Sequence, residues 1–440
     1  MAIVNGTSLE SNKNLKFNFD GGNLSSDAGM ILIKEFAHKL GVQQLVKESF
    51  KTKDSAIRIH TDSENLMQMV YQIIAAYNTD DMADSLKDDP VFTSILGKDT
   101  LASQPTLSRF HNRMDESTLE QLESIIKALR KRVYSVKKPE YIIADIDSTL
   151  LDTYGNQEGA AFNYHYQANG YHPLVCYDGL TGDLLKIELR NGTEYCCNGA
   201  ADFLKPLLQE YSDEYPEIAV FLRGDSGFAT DEMYSLCESN GTSYVIRLKD
   251  NPVLRRLASP IEDELSEKVA DNMLDYAVSY GEFQYKAKTW NYPRRVVCKV
   301  EKSYGQMLFM YTFIVTNMDS DPERVLGFYC KRGTMENFIK ESKNGFDFCC
   351  VSSATKIVNA NRLMIHALAY NIFNWLRRLV LPVKLMKDRI DTYRLKLIKI
   401  AAKIVRTSRY VVFKLCSSCP YKDDFYNILS NIVDFNPIIV

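Results

Sequence analysis

Four side chains of complementary chemistry stand at helical spacing in YCKRGTMENFIKESKNGF: Tyr329, Arg332, Glu336 and Lys343, in the order Y-x2-R-x3-E-x6-K. At about 100° of turn per residue, the offsets of 3, 7 and 14 gather a phenol, two cations and a carboxylate within an arc of roughly 60°. Met335, Phe338, Ile339 and Phe346 form an adjoining apolar stripe by which such a helix would dock. Upstream, YIIADID carries Asp145 and Asp147, which alternation puts on one side of a strand, and Asp225 ends the apolar run EIAVFLRGD. Carboxylates at strand ends, met by a third from a helix, suit two hard divalent cations about 3.5 to 4 Å apart. One ion would activate a water or a 3′-hydroxyl, and the other would stabilise the leaving oxygen of an in-line phosphoryl transfer. Spacing leaves open whether Asp145 or Asp147 is the first acid.

The elements that must position these acids follow from periodicity. YIIADID (141–147), GYHPLVCYD (170–178), DLLKIELR (183–190), EIAVFLRGD (217–225) and SYVIRLK (243–249) read as strands. Helices are expected over 198–211 and 230–239. Three strands, helix, strand, helix, strand is the order of a ribonuclease H-like α/β core. Residues 250–324 alternate like strands in YAVSYGEFQYKAKTWN, RRVVCKVEK and MLFMYTFIVTN, which predicts a β-rich insertion before the Glu336 helix. The domains expected are therefore a helical N-terminal DNA-binding domain (1–138), the first part of the core (139–249), the insertion (250–324), the core helix with Glu336 (325–350) and a basic, mostly helical C-terminal region (351–440). Within 1–138, short helices around TLSRFHNRM form a candidate helix-turn-helix, with Ser108, Arg109, His111, Asn112 and Arg113 available for phosphates or base edges. Asn163, His165, Tyr166 and His172 follow the first strand closely enough to line the site, a structural role being the simpler one for the histidines. Arg223 and Lys249 flank core strands, where they meet either phosphate or nearby acids. Trp290 and the tyrosines of 250–324 are expected to fill a β core.

Composition narrows the partner. From residue 351 onward, fifteen Lys and Arg face five Asp, so a segment of +10 follows a body of −13 within an overall charge of −3. A basic block on an acidic body points to a polyanion such as nucleic acid. Arg394, Lys396, Lys399, Lys403 and Arg406 are its densest run. The ten cysteines include one CSSC, Cys416 to Cys419, with no second pair and no nearby His pair, so reduced thiols rather than a zinc site are expected. No signal peptide or run of about 20 apolar residues is read, which predicts a chain that is not in a membrane, in the cytoplasm.

The sequence resembles the DDE transposases of bacterial insertion sequences, specifically the IS4-like group and most closely the IS1380 family. The resemblance spans nearly the whole chain: FDGGNLSSDAGMIL, DDPVF, LASQPTLSRF, DIDSTLLDTYGNQEGAAFNYHY, GDSGFA, the Y-x2-R-x3-E-x6-K signature and NANRLMIHALAYNIFNW. It implies that Asp147, Asp225 and Glu336 form a metal-binding catalytic triad. Asp147 is preferred over Asp145 because the family pattern puts Ser or Thr directly after the acid. It further implies Mg2+, with Mn2+ able to substitute. Tyr329, Arg332 and Lys343 would contact the DNA of the element's ends. The activity implied is cut-and-paste transposition: binding of the terminal inverted repeats, strand cleavage and strand transfer into target DNA, by a homodimer on the DNA.

Two other readings compete. ADIDSTLLDTYG also fits the DxDxT start of haloacid-dehalogenase-like phosphatases, with Asp145 as nucleophile and Asp147 as general acid. A hairpin after that strand, and the unexplained Tyr329 to Lys343 face, count against it. A non-catalytic, transposase-derived DNA-binding protein is the third reading, although all three acids are present.

Overall fold

YIIADIDS forms β1 (Tyr141–Ser148), buried from Ile142 to Ile146 because it sits inside the sheet with its β-branched residues packed on both faces. The computed structural model describes residues 7–54, 56–272, 276–303, 305–306 and 308–439, with the backbone alone at 271–272. They divide into two compact units: the chain up to Val136 together with the segment from Trp375 onward, and Lys137–Asn374.

In the unit Lys137–Asn374, β1 is followed by β2 (Leu174–Asp178), β3 (Leu184–Glu188), β4 (Ala219–Gly224) and β5 (Ser243–Leu248). The strands β6 (Ala277–Tyr285), β7 (Arg294–Lys302) and β8 (Met310–Thr316) complete one mixed sheet of order β6-β7-β8-β5-β4-β1-β2-β3. β1, β4 and β5 run parallel, and β2 and β3 return antiparallel. The connections into β4 and β5 carry α1 (Ala200–Glu214) and α2 (Asp231–Ser239), as crossovers between parallel strands require.

Three expectations need correction here. The stretch 250–324 is not a separate β insertion: after the helices Pro252–Leu257 and Ser259–Asn272, its strands pair antiparallel through β8 onto β5 and widen the same sheet. Residues 273–275, 304 and 307 of that stretch lie outside the described residues. GYHPLVCYD is not one strand. Pro173 has no N–H for a ladder, so Ala168–Tyr171 joins a small sheet with Leu151–Asp152 and Ala161–Asn163, and β2 starts after it. The helix read through Tyr329 and Lys343 is two helices, α3 (Pro322–Cys330) and α4 (Met335–Gly345), joined by a 3-10 turn over Lys331–Thr334. That turn contains Gly333, a weak helix former, and it breaks the single arc expected of the four side chains.

The other unit is built around the helix Asp62–Ile74, opened by a capping box of Thr61 and Glu64 and buried without interruption from Asn65 to Ile74. Met30–Lys39, Val42–Ser49, Pro90–Leu96, Gln104–His111 and Glu116–Val136 belong to the same unit. The C-terminal segment belongs there too: Ala28 and Gly29 donate backbone hydrogen bonds to Ile400 and Ile398. It is less helical than expected. After Ile390–Tyr393 and one π turn at Arg394–Ile398 come the strands Ala402–Arg406 and Val411–Leu415, then the helix Lys422–Asp434. All ten cysteines are free thiols. Among the described residues, no helix is long and apolar enough to cross a membrane.

Candidate active site

Arg223 stands opposite Asp145 in the parallel register of β4 and β1. Its Nε and Nη2 donate to the two Asp145 oxygens at 2.5 and 2.6 Å, with both side chains buried. Burial pushes Asp145 up to about 6, against the pull of Arg223. Nη1 of Arg223 also donates to the Phe328 carbonyl at 2.9 Å, tying α3 to the strand pair. Gly179 is required beside this pair, since a Cβ there would lie 2.4 Å from Asp145 Oδ2.

Two residues further along each strand, at the carboxyl ends, stand Asp147 and Asp225. Asp147 keeps a side-chain exposure of 21% where Asp145 has none. Its Oδ1 accepts the Ser148 N–H at 2.8 Å and its Oδ2 accepts Arg332 Nη2 at 2.8 Å. Burial pushes the Asp147 carboxyl above the usual carboxylate range; Arg332 pulls it down, and the charge of Asp225 pushes it up again. Asp225 caps the short turn Ser226–Phe228, its Oδ1 accepting the Gly227 N–H at 2.8 Å. Gly227 is needed because a Cβ would come within 2.3 Å of Cys196 Sγ.

The 3-10 turn delivers Arg332 to this point, where Nη2 also reaches the Ile146 carbonyl at 3.4 Å. Burial works against its charge, yet Asp147 and then Asp225 hold its basicity above the ordinary value. From α4, Lys343 Nζ donates to the Leu150 carbonyl at 2.6 Å, just past β1. Tyr329 packs half-buried against a cluster of Val245, Val297, Ile314, Val325 and Leu326. Burial raises its phenol; Arg332 and Arg247 lower it and Asp225 raises it. Tyr166 donates to the Ser148 carbonyl at 3.2 Å and is pushed up to about 12 by burial, Asp147 and Asp225.

Arg332, Asp147, Asp225, Tyr166 and Tyr329 are thus brought together by contact or charge. Glu336 lies exposed in the first turn of α4 and, among the described residues, has no hydrogen-bond or ion-pair partner. Among the described residues no group of three or more His, Cys, Asp or Glu is close enough to hold one ion. The pair Asp147 and Asp225 fits a divalent cation in donor chemistry, two hard carboxylates whose repulsion a cation would relieve; the third acid is not gathered with them.

Other expected residues serve the fold. Asn163 Oδ1 accepts the N–H groups of His165 and Tyr166 and shapes their loop, and His172 Nδ1 is bonded to the Glu194 carbonyl at 2.8 Å. Trp290 is buried edge-on against Tyr234 and Tyr285. His111 is buried 3.4 Å from Asp80, which removes it from a DNA-facing role, whereas Arg109 is exposed. Arg394 is a correction as well: its guanidinium is buried and donates to the carbonyls of Ile73 and Ile74 at 2.8 Å, so it holds the helix Asp62–Ile74 rather than facing solvent. Lys396 and Lys399 pair with Asp388 and Asp27 at 2.7 and 2.5 Å. Tyr195, Cys196 and Arg247 were not read from the sequence as site residues; nothing in their spacing distinguishes them from ordinary loop and strand positions.

The chain is thus a mixed α/β protein with an acidic site at the carboxyl ends of two adjacent parallel strands. A family described as Transposase DDE domain group 1 matches it over residues 7–437. The chain belongs to that family and is a DDE transposase. No curated protein matches it. Among solved structures, a piggyBac transposase synaptic complex with hairpin DNA aligns with 94% of this chain and 86% of its own, at 12% identity and a TM-score of 0.41.

Proposed function

We propose that this transposase is of the IS4-like group and the IS1380 family, and that it binds the terminal inverted repeats of its own element, cleaves there and joins the 3′-hydroxyls to target DNA. The observation that carries the reading is the meeting of Asp147 and Asp225 at the ends of β1 and β4, with Arg332 between them and solvent. The order β3-β2-β1-β4-β5, with three parallel and two antiparallel strands, supports a ribonuclease H-like core within the wider sheet.

In this reading Asp147, Asp225 and Glu336 hold Mg2+ or Mn2+, which when bound supplies an activated hydroxyl and charge neutralisation at the scissile phosphate. The burial of Asp145 in its pair with Arg223 supports Asp147 as the first acid and leaves Asp145 poorly placed as a phosphatase nucleophile. Arg332, Lys343 and Tyr329 meet phosphates at the cleavage point, cations pairing with phosphate oxygens. Arg109, Lys403 and Arg406, with Lys396 and Lys399 where their acid partners yield, contact duplex DNA away from it. A homodimer pairs the two ends in the bacterial cytoplasm.

The test is incubation of the purified chain with a labelled duplex carrying the element's end, in Mg2+ or EDTA, beside Glu336→Ala and Asp225→Asn. Metal-dependent nicking lost in both variants, with end binding retained, is the expected result. Full cleavage by either variant would remove that acid from the triad. Tight binding with no cleavage by the wild type would favour the DNA-binding reading.

A further inference from the structure

The strands Ala402–Arg406 and Val411–Leu415 form a hairpin whose register sets Lys403 directly opposite Lys414 and Val405 opposite Val412. Directly opposed residues share a face, and like charges in that position destabilise a strand pair. The two faces differ. Ala402 and Ile404 are buried on one, while Lys403, Val412 and Lys414 are exposed on the other. The four-residue connection closes on itself through Thr407 and Tyr410 at 2.8 Å and presents Arg409 and Tyr410 to solvent.

Charge separates this hairpin from the rest of the basic segment. Lys384, Arg394, Lys396 and Lys399 each pair with an aspartate. Residues 402–415 contain Lys403, Arg406, Arg409 and Lys414 and no acid. Among the described residues none of these four forms an ion pair; Arg406 reaches only Ser94 Oγ at 3.5 Å. Val411–Leu415 is also the edge of its three-stranded sheet, the other neighbour of Ala402–Arg406 being Leu24–Ser25.

We propose that this hairpin is a β-ribbon that docks on duplex DNA, an inference that rests on the reading of the chain as acting on DNA. A two-stranded ribbon fits the major groove. Lys403 and Lys414 on the outer face, with Arg406 and Arg409 toward the tip, would supply the phosphate contacts. A polyanion also accounts for the opposed lysines, whose repulsion it would neutralise. A second copy of the chain adding a strand at the edge is the competing occupant, and edge lysines oppose that pairing.

The test compares full-length wild type, Lys403→Gln/Lys414→Gln, and Lys13→Gln/Lys87→Gln, which removes the same charge from exposed positions elsewhere. Anisotropy titrations with a random-sequence duplex across a salt series read both affinity and the salt slope. The hairpin variant is expected to bind more weakly and to lose about 2 from the slope of log K against log salt, at roughly 0.9 per phosphate contact. The control is expected to match wild type. Thermal melting separates binding from folding: relief of the opposed charges leaves the hairpin variant's Tm unchanged or raised, whereas a structural role would lower it. Equal weakening in both variants would overturn the ribbon in favour of diffuse charge. Intact DNA affinity with an altered oligomeric state by light scattering would assign the edge to a second copy. If wild type bound and nicked DNA while the hairpin variant matched it, the ribbon alone would fail. If wild type bound no duplex, the reading beneath it would fail too.

Discussion

Arg332 donates from Nη2 to Asp147 Oδ2 at 2.8 Å, so a guanidinium sits on the carboxylate that also feels Asp225. A divalent cation taking the acid pair would compete with this contact, since both neutralise the same oxygens. Removing the guanidinium as Arg332→Gln should therefore tighten Mn2+ binding to the DNA-free protein by about tenfold, the scale of one charge-assisted hydrogen bond. Calorimetric titration reads this without any turnover. Weaker Mn2+ binding in the variant would mean that Arg332 orients Asp147 for the ion. In either case DNA cleavage should fall, because the same side chain is proposed to meet phosphate.

Asp145 and Asp147 lie two residues apart on one strand and should respond differently to the same change. Asp145→Asn leaves Arg223 charged and buried without its bidentate partner. Breaking such a pair typically costs about 3 to 5 kcal/mol. Asp147→Asn, at a partly exposed position, should cost less than about 1 kcal/mol. Urea unfolding of the two variants measures both. Gly179→Ala should behave like Asp145→Asn, since its Cβ would also lie 2.5 Å from Arg223 Nη2. Equal stability of Asp145→Asn and wild type would show that the pair is not a support of the strand ends.

Much of the α/β unit is legible in the sequence because its strands are short, β-branched and bounded by turns: β1, β3, β4 and β5 lie where alternation puts them. The site is legible only in part. Alternation places Asp145 and Asp147 on one face, but the distinction between them comes from Arg223, 78 residues away. The Tyr329 to Lys343 spacing satisfies helical geometry throughout, yet the chain tightens into a 3-10 turn at Lys331–Thr334, and Arg332 reaches Asp147 from that turn. Periodicity cannot report where α3 and α4 part, because both keep the same apolar stripe. The extension of the sheet by β6 to β8 is likewise a matter of which edge accepts a strand, and local pattern does not encode that.

The basic run at 394–406 mixes two physical roles that composition cannot separate, and their separation yields the last prediction. Arg394 sends Nε and Nη2 to the carbonyls of Ile74 and Ile73, and Gly29 lies against the same segment so closely that a Cβ would fall 1.6 Å from the Leu397 carbonyl oxygen. Arg394→Gln strands two helix-end carbonyls that the guanidinium satisfies, each unsatisfied buried group costing about 1 to 3 kcal/mol. Gly29→Ala must push residues 397–398 away and should cost at least about 2 kcal/mol, the scale of overpacking. Both should speed hydrogen exchange in the helix Asp62–Ile74 and lower Tm. The fraction that remains folded should bind duplex DNA with wild-type affinity and salt slope. If Arg394→Gln left exchange and Tm unchanged but reduced the salt slope by about 1, its guanidinium would be a phosphate contact after all, and its burial against Ile73 and Ile74 would have to open on DNA.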